Sequence, residues 1–231
     1  MIWALMRLSV VIPVFNELAT LEQLLDRVEA VDIEKEVIIV DDYSTDGTRD
    51  LLESMNHPDR VVVLHDRNQG KGAALRTGFA RATGEYVIIQ DADLEYSPED
   101  YVALMAEAAR RDADVVYGSR FSGPTPPMAF KNLVGNRLLT GLTNALYGSQ
   151  LTDMETCYKL IRRNVLMTLS LEADRFNVEP ELTAKLLTRG LPIFEVPISY
   201  VGRTRSEGKK ISWVDFVSAV WTLVRLRVSP G

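Results

Sequence analysis

The sequence predicts an α/β fold, a mostly parallel sheet with helices on both faces. Three observations predict it. Short, continuous, apolar and β-branched runs recur through the first 120 residues, as in strands buried on both faces. Segments with apolar residues at helical spacing lie between them. Acidic residues follow three of the runs directly, where the strand C-terminal ends of such a sheet form a ligand crevice.

The predicted strands are Leu8 to Val14, Glu36 to Val40, Arg60 to Leu64, Tyr86 to Ile89 and Asp114 to Tyr117. The intervening helices are Leu18 to Ala30, with Leu21, Leu24, Leu25 and Val28 on one face, then Asp46 to Met55 and Lys71 to Ala82. A further helix opens at Ser97-Pro98-Glu99-Asp100, read as N-cap, proline at the first helical position and acids in the first turn. Beyond residue 120 the alternation breaks. Phe121 to Met128 holds three prolines and a glycine and reads as a loop. Phe130 to Tyr147 is helical, Thr156 to Ile161 an edge strand, Pro180 to Thr188 helical and Pro192 to Tyr200 strand-like. The last helix is Ile211 to Val228.

Composition narrows the function. The 231 residues carry 26 Lys+Arg against 32 Asp+Glu, a net charge of −6 that argues against a nucleic-acid binder. The lone Cys157 forms no intramolecular disulfide and suits a reducing compartment. His57, His65 and Cys157 do not assemble a His/Cys zinc site. No charge-free stretch of about 18 residues marks a spanning helix, and Met1 to Leu8 lacks a signal-peptide pattern.

The chemistry lies at the strand ends. The first run leads into Pro13-Val14-Phe15-Asn16-Glu17, the second into Asp41-Asp42-Tyr43-Ser44-Thr45-Asp46-Gly47-Thr48, and the fourth into Gln90-Asp91-Ala92-Asp93-Leu94-Glu95. Clustered carboxylates repel one another and call for a cation. Alternation places Asp91, Asp93 and Glu95 on one side, as ligands for Mg²⁺ or Mn²⁺ with positions left for phosphate oxygens.

Together these segments resemble the family-2 glycosyltransferases of the GT-A fold, whose sheet is Rossmann-like, and among them the polyprenyl- or dolichyl-phosphate mannose and glucose synthases. The resemblance is strongest over Leu8 to about Arg120. It implies metal-dependent, inverting transfer of a hexose from GDP-mannose or UDP-glucose to a polyprenyl phosphate. It implies nucleotide-sugar contacts at Pro13, Phe15, Glu17, Val40, Asp42, Lys71, Asp91, Ala92, Asp93, Arg120, Arg203 and Lys209. Phe15 stands where the family has tyrosine. Asp42 meets the base, while Asp46-Gly47-Thr48 caps a helix. Arg67-Asn68-Gln69-Gly70-Lys71-Gly72-Ala73-Ala74 resembles the family's N-x-G-K-G-A-A segment; its glycines admit close backbone approach at an anion-favouring helix start. Lys71 there touches the nucleotide or packs the helix start. Arg120, in Gly118-Ser119-Arg120, meets a phosphate bidentately. Asp153, in the segment ending Glu155-Thr156-Cys157-Tyr158-Lys159, positions the acceptor or stabilises the donor sugar. Asp93, Arg120 and Asp153 are thus the catalytic candidates, and Arg203 and Lys209 reach the diphosphate.

A lipid phosphate is already anionic and needs no general base. The alternative is a soluble family-2 transferase with a sugar or protein hydroxyl acceptor, for which Asp153 is the candidate base. Two domains are expected: a catalytic domain over 1–210 and an amphipathic, interfacial helix over 211–231. Residues 201–231 hold six basic residues against Glu207 and Asp215, a balance of +4, which leaves −10 on residues 1–202. Trp213, Phe216, Val217, Val220 and Val224 line one helical face between basic clusters, the pattern of a helix lying in a membrane interface. Packing of that helix on the core is the competing reading, and Phe130 to Tyr147 is a second segment suited to lipid. The chain is therefore expected at the cytoplasmic face of a membrane, alone or with a separate anchoring subunit.

Overall fold

A computed structural model of the chain describes residues 6–55, 60–123, 128–202 and 213–229. Seven strands form one sheet: β1 (Leu8–Val14), β2 (Lys35–Asp41), β3 (Arg60–Leu64), β4 (Tyr86–Ile89), β5 (Val115–Ser119), β6 (Lys159–Arg162) and β7 (Phe194–Pro197), in the order β3-β2-β1-β4-β6-β5-β7. The helices are α1 (Leu21–Ala30), α2 (Thr48–Ser54), α3 (Lys71–Phe79), α4 (Tyr101–Arg111), α5 (Phe130–Tyr147), the four-residue α6 (Arg163–Leu166), α7 (Val178–Thr188) and α8 (Trp213–Val228).

Strands β3, β2, β1 and β4 are mutually parallel, with Val10 beside Val37 and Ile88. Side chains of β1, β2 and β4 are buried on both faces, which is why they read as unbroken apolar runs, while β3, at the sheet edge, is half-buried throughout. The expected edge strand at Thr156 to Ile161 is corrected on two counts. It spans Lys159–Arg162, and it lies inside the sheet, antiparallel to both β4 and β5. An apolar run buried on both faces carries no sign of its direction or neighbours. The edges are β3 and β7, the latter parallel to β5. As expected, Ser97 stands at an N-cap, with Pro98 first and Glu99 and Asp100 in the first turn, though of a 3-10 turn over Pro98–Asp100 that precedes α4; its Oγ makes no capping bond and accepts from Arg27 Nη2 at 2.9 Å instead.

The main core lies between the sheet and its helices. A second, smaller core of Leu139, Leu151, Met154, Ala184, Ala219, Leu223 and Leu226 joins α5, α7 and α8. Helix α8 therefore packs on the body, while Trp213, Val214, Val217, Trp221 and Val224 face outward. The single face expected from the sequence divides, because Phe216 and Val220 turn toward the second core. Residues 211 and 212, assigned to this helix from the sequence, lie outside the described residues. No helix among the described residues is long and apolar enough to cross a membrane.

Candidate active site

Loops after β1 and β2 are laced together at the crevice. Asn16, at φ +54°, donates its backbone N–H to Ser44 Oγ at 2.9 Å, and its side chain accepts from Thr45 N at 2.8 Å. Thr48 Oγ1 accepts from Glu17 N at 3.2 Å and donates to Asp46 Oδ1 at 2.6 Å, so Asp46 is tied to the α2 start. Hydrogen bonds from Thr48 outweigh burial and hold the Asp46 carboxyl below its ordinary range. Phe15 is about one-third exposed, and Pro13 and Val40 hold paired positions near the ends of β1 and β2.

Asp42 is buried and fully engaged within the protein. Its Oδ1 accepts from Gln69 N at 2.8 Å and lies 2.8 Å from His65 Nδ1, while Oδ2 accepts from Gly70 N at 2.7 Å. The carboxylate expected at a base thus fastens β2 to the Gln69-Gly70 turn. His65, which no motif in the sequence marks, is its partner and reaches Thr77 Oγ1 at 3.0 Å through Nε2. The signal was its position at the end of β3, level with Asp42.

The glycine segment serves packing. A Cβ on Gly70, at φ +95°, would lie 2.3 Å from the Asp174 carbonyl oxygen, and one on Gly72 would lie 2.0 Å from that of Ala173. The amides of Gly72 and Ala73 donate to Asp174 O at 2.8 and 3.2 Å. The first-turn donors expected to favour an anion therefore bind the loop before α7. Lys71, on the same turn, bridges two carboxylates, with Nζ 2.6 Å from Asp91 Oδ1 and 2.6 Å from Glu179 Oε1. Burial opposes its charge, but Asp91 and Glu179 outweigh burial and hold the ammonium well above its usual range. Glu179, at the start of α7, did not stand out in the sequence.

Among the acids after β4, Asp91 pairs with Lys71, Asp93 Oδ1 accepts from Glu95 N at 3.1 Å, and Glu95 Oε2 accepts from Tyr200 Oη at 2.7 Å. Ala92 is buried and its carbonyl accepts from Thr20 Oγ1 at 3.0 Å. Among the described residues no three His, Cys, Asp or Glu side chains converge on one point. The expected trio of Asp91, Asp93 and Glu95 is accordingly not assembled, and Glu95 is turned to Tyr200. Asp91 and Asp93 still supply hard oxygen donors one residue apart. That set fits Mg²⁺ or Mn²⁺, which take one or two protein carboxylates when substrate phosphates complete the shell.

Arg120 and Asp153 form a bidentate pair at the end of β5. Nε and Nη2 each lie 2.7 Å from a carboxylate oxygen, and the Arg120 amide donates to Oδ2 at 3.0 Å. Both residues are buried, and the rings of Tyr200 and Phe121 flank the guanidinium at 5.1 and 5.5 Å. The fork assigned from the sequence to a phosphate is on Asp153. Burial works against the Arg120 charge, but Tyr96 and Asp153 keep it well above its ordinary value.

Beside this pair, Lys159 is buried and donates to the carbonyls of Met154 and Thr156. Burial lowers its pKa against the pull of Glu179 and Glu155. Burial and the negative charge of Glu179 push the Glu155 carboxyl up to about 7, against Lys159 and Arg120. Glu155 Oε1 and Glu179 Oε2 are enclosed and no hydrogen-bond donor reaches them. Cys157 is buried, as expected. Arg203 and Lys209 lie outside the described residues.

The glycosyl transferase family 2 model matches residues 9–170. The chain belongs to that family. It is a glycosyltransferase, and its helix-flanked, mostly parallel sheet is the GT-A fold. It is 30% identical to the polyprenol monophosphomannose synthase of Mycolicibacterium smegmatis, over 93% of this chain and 86% of that protein. It is 32% identical to the undecaprenyl-phosphate mannosyltransferase of Micrococcus luteus, over 88% of this chain and 87% of that one. Among solved structures it resembles glucosyl-3-phosphoglycerate synthase from Mycobacterium tuberculosis, crystallised with Mn²⁺, uridine diphosphate and phosphoglyceric acid. The TM-score is 0.73 with 20% identity, covering 98% of this chain and 80% of that one, a likeness of fold.

Proposed function

We propose that this glycosyltransferase moves a hexose, with inversion, from GDP-mannose or UDP-glucose to a polyprenyl phosphate such as dolichyl or undecaprenyl phosphate. The observation that favours a phosphate acceptor over a hydroxyl is the Arg120–Asp153 pair. A hydroxyl acceptor needs a base, and the candidate, Asp153, is completely buried with both oxygens on Arg120. A phosphate oxygen attacks the anomeric carbon without losing a proton. The bond from that carbon to the nucleoside diphosphate breaks, and the diphosphate leaves with the bonding pair. Two relatives named as transferring mannose to polyprenol or undecaprenyl phosphate support the same acceptor.

Phe15 offers a face for a base, and Pro13, Glu17 and Val40 shape the wall beneath it. Asp42 acts by fixing the turn before Lys71. Asp91 and Asp93 would hold Mg²⁺ or Mn²⁺, which when bound stabilises charge on the departing diphosphate. Lys71 holds Asp91 in place. Arg120 and Asp153 enter as positioning residues that set the β5 end against the loop before β6. Arg203 and Lys209 are proposed to reach the diphosphate. We assign the chain to the cytoplasmic face of a membrane, with room for an anchoring subunit. The test is incubation with labelled GDP-mannose or UDP-glucose, short-chain polyprenyl phosphate and Mg²⁺ or Mn²⁺. A lipid-extractable labelled product that EDTA abolishes is expected; no such product from either donor overturns the proposal.

A further inference from the structure

We propose that α5 and α8 together form one apolar platform that rests in the interface of an anionic lipid bilayer. The two helices run side by side in the same direction. A Cβ on Gly135 would lie 4.0 Å from Phe216, Tyr147 Oη donates to Leu223 O at 2.8 Å, and Arg227 Nε donates to Leu146 O at 2.7 Å. Their inner faces hold Leu139, Thr140 and Thr143 of α5 and Ala219, Thr222, Leu223 and Leu226 of α8. Their outer faces are also apolar. On α5, Phe130 is 79% exposed, Val134 39% and Leu138 59%, at successive turns. On α8, Trp213 is 77% exposed and Trp221 65%, with Val214, Val217, Val224 and Val228 completing the stripe.

Exposed apolar side chains on two adjacent helices need a cover, since a contiguous patch of this kind marks an interaction surface. Charge decides which cover. Helix α5 carries Lys131 and Arg137 and no acid, and α8 carries Arg225 and Arg227 against Asp215. The platform is therefore basic on a chain whose first 202 residues total −10. Tryptophans among valines, flanked by arginine and lysine, suit the boundary between headgroups and acyl chains of an anionic membrane.

The platform also touches the site. Thr140 Oγ1, on the inner side of α5, accepts from Met154 N at 3.1 Å, next to Asp153 and Glu155. Leu151 and Met154 of the same loop pack in the core shared with α5 and α8. A bilayer at the outer face would leave the loop that carries Asp153 one helix away from the lipid. The purpose of such a surface rests on the polyprenyl-phosphate acceptor proposed above; its existence does not.

The test uses the full chain and sedimenting vesicles of equimolar phosphatidylcholine and phosphatidylglycerol, free of polyprenyl phosphate. The chain is expected to co-sediment with these vesicles, to bind pure phosphatidylcholine less, and to show a blue shift of tryptophan emission. Leu138→Glu on α5 and Trp221→Glu on α8 are each expected to weaken partitioning tenfold or more. Both side chains are exposed, so the melting temperature and GDP- or UDP-induced thermal stabilisation should be unchanged. Absence of vesicle binding overturns the proposal. So does loss on Trp221→Glu with none on Leu138→Glu, which would confine contact to one helix. A vesicle-free dimer that both substitutions dissolve would assign the face to a second copy and also overturn it. Vesicle binding by a chain that neither GDP nor UDP stabilises would instead count against the donor reading alone.

Discussion

The two halves of the crevice hold their charges differently. On the side built by β1, β2 and β3, Asp42 binds the amides of Gln69 and Gly70 and Asp46 binds Thr48. On the side built by β4, β5 and the loop before β6, carboxylates meet cations distant in sequence: Asp91 and Glu179 on Lys71, and Asp153 on Arg120. The first arrangement fixes loop shape with dipoles. The second sets full charges against one another, most deeply at Arg120 and Asp153, so that removing one there leaves the other unpaired in a low-dielectric interior. Substitutions on the second side should therefore cost far more than those on the first.

The largest contrast is at Arg120 and Asp153. Arg120→Met or Asp153→Leu alone should each cost about 3–5 kcal/mol in urea unfolding, because a buried charge loses its partner. The double variant should recover most of that stability, while transfer stays impaired because the β5 end is no longer held. Equal loss in the double and single variants would break the assignment of a positioning pair. Lys71→Met should come next, at about 3 kcal/mol, since Asp91 and Glu179 would face each other without a cation.

Glu155 gives a pH signature. Its carboxyl keeps a proton up to about 7 in the folded chain, whereas the unfolded chain releases it near 4.5. Between those values the folded state binds more protons, so stability falls as pH rises through that window, by up to about 3 kcal/mol. Glu155→Gln should flatten this slope and stabilise the chain at pH 8 relative to pH 5. An unchanged slope would remove Glu155 from the buried network. The smallest effect belongs to the first side. His65→Gln should cost only about 1 kcal/mol in chemical denaturation, as two backbone amides still hold Asp42.

Legibility follows the same division. Strands β1, β2, β4 and β5 and helix α5 were readable because burial on both faces, or helical periodicity, is written into consecutive residues, and the half-buried β3 because its run is β-branched. That acidic loops follow parallel strands was readable for the same local reason. The partners of Asp42 and Arg120 were not. Asp42 turns inward to His65, 23 positions away, and Arg120 meets Asp153, 33 positions away. No local spacing encodes such pairings. Strand β6 was misplaced because its neighbours are chosen by topology. The outward apolar stripe of α8 was partly legible, but only the packing of Phe216 and Val220 shows which side faces the second core.

The central claim is that the acceptor is a phosphate and that no side chain must remove a proton from it. The most direct measurement offers one labelled donor to a short-chain polyprenyl phosphate and, in parallel, to the matching polyprenol, whose end is a hydroxyl. Labelled lipid is expected from the phosphate alone, with a rate flat above the second phosphate pKa of about 6. Transfer to the polyprenol at a comparable rate, or transfer only to a soluble hydroxyl, would contradict it.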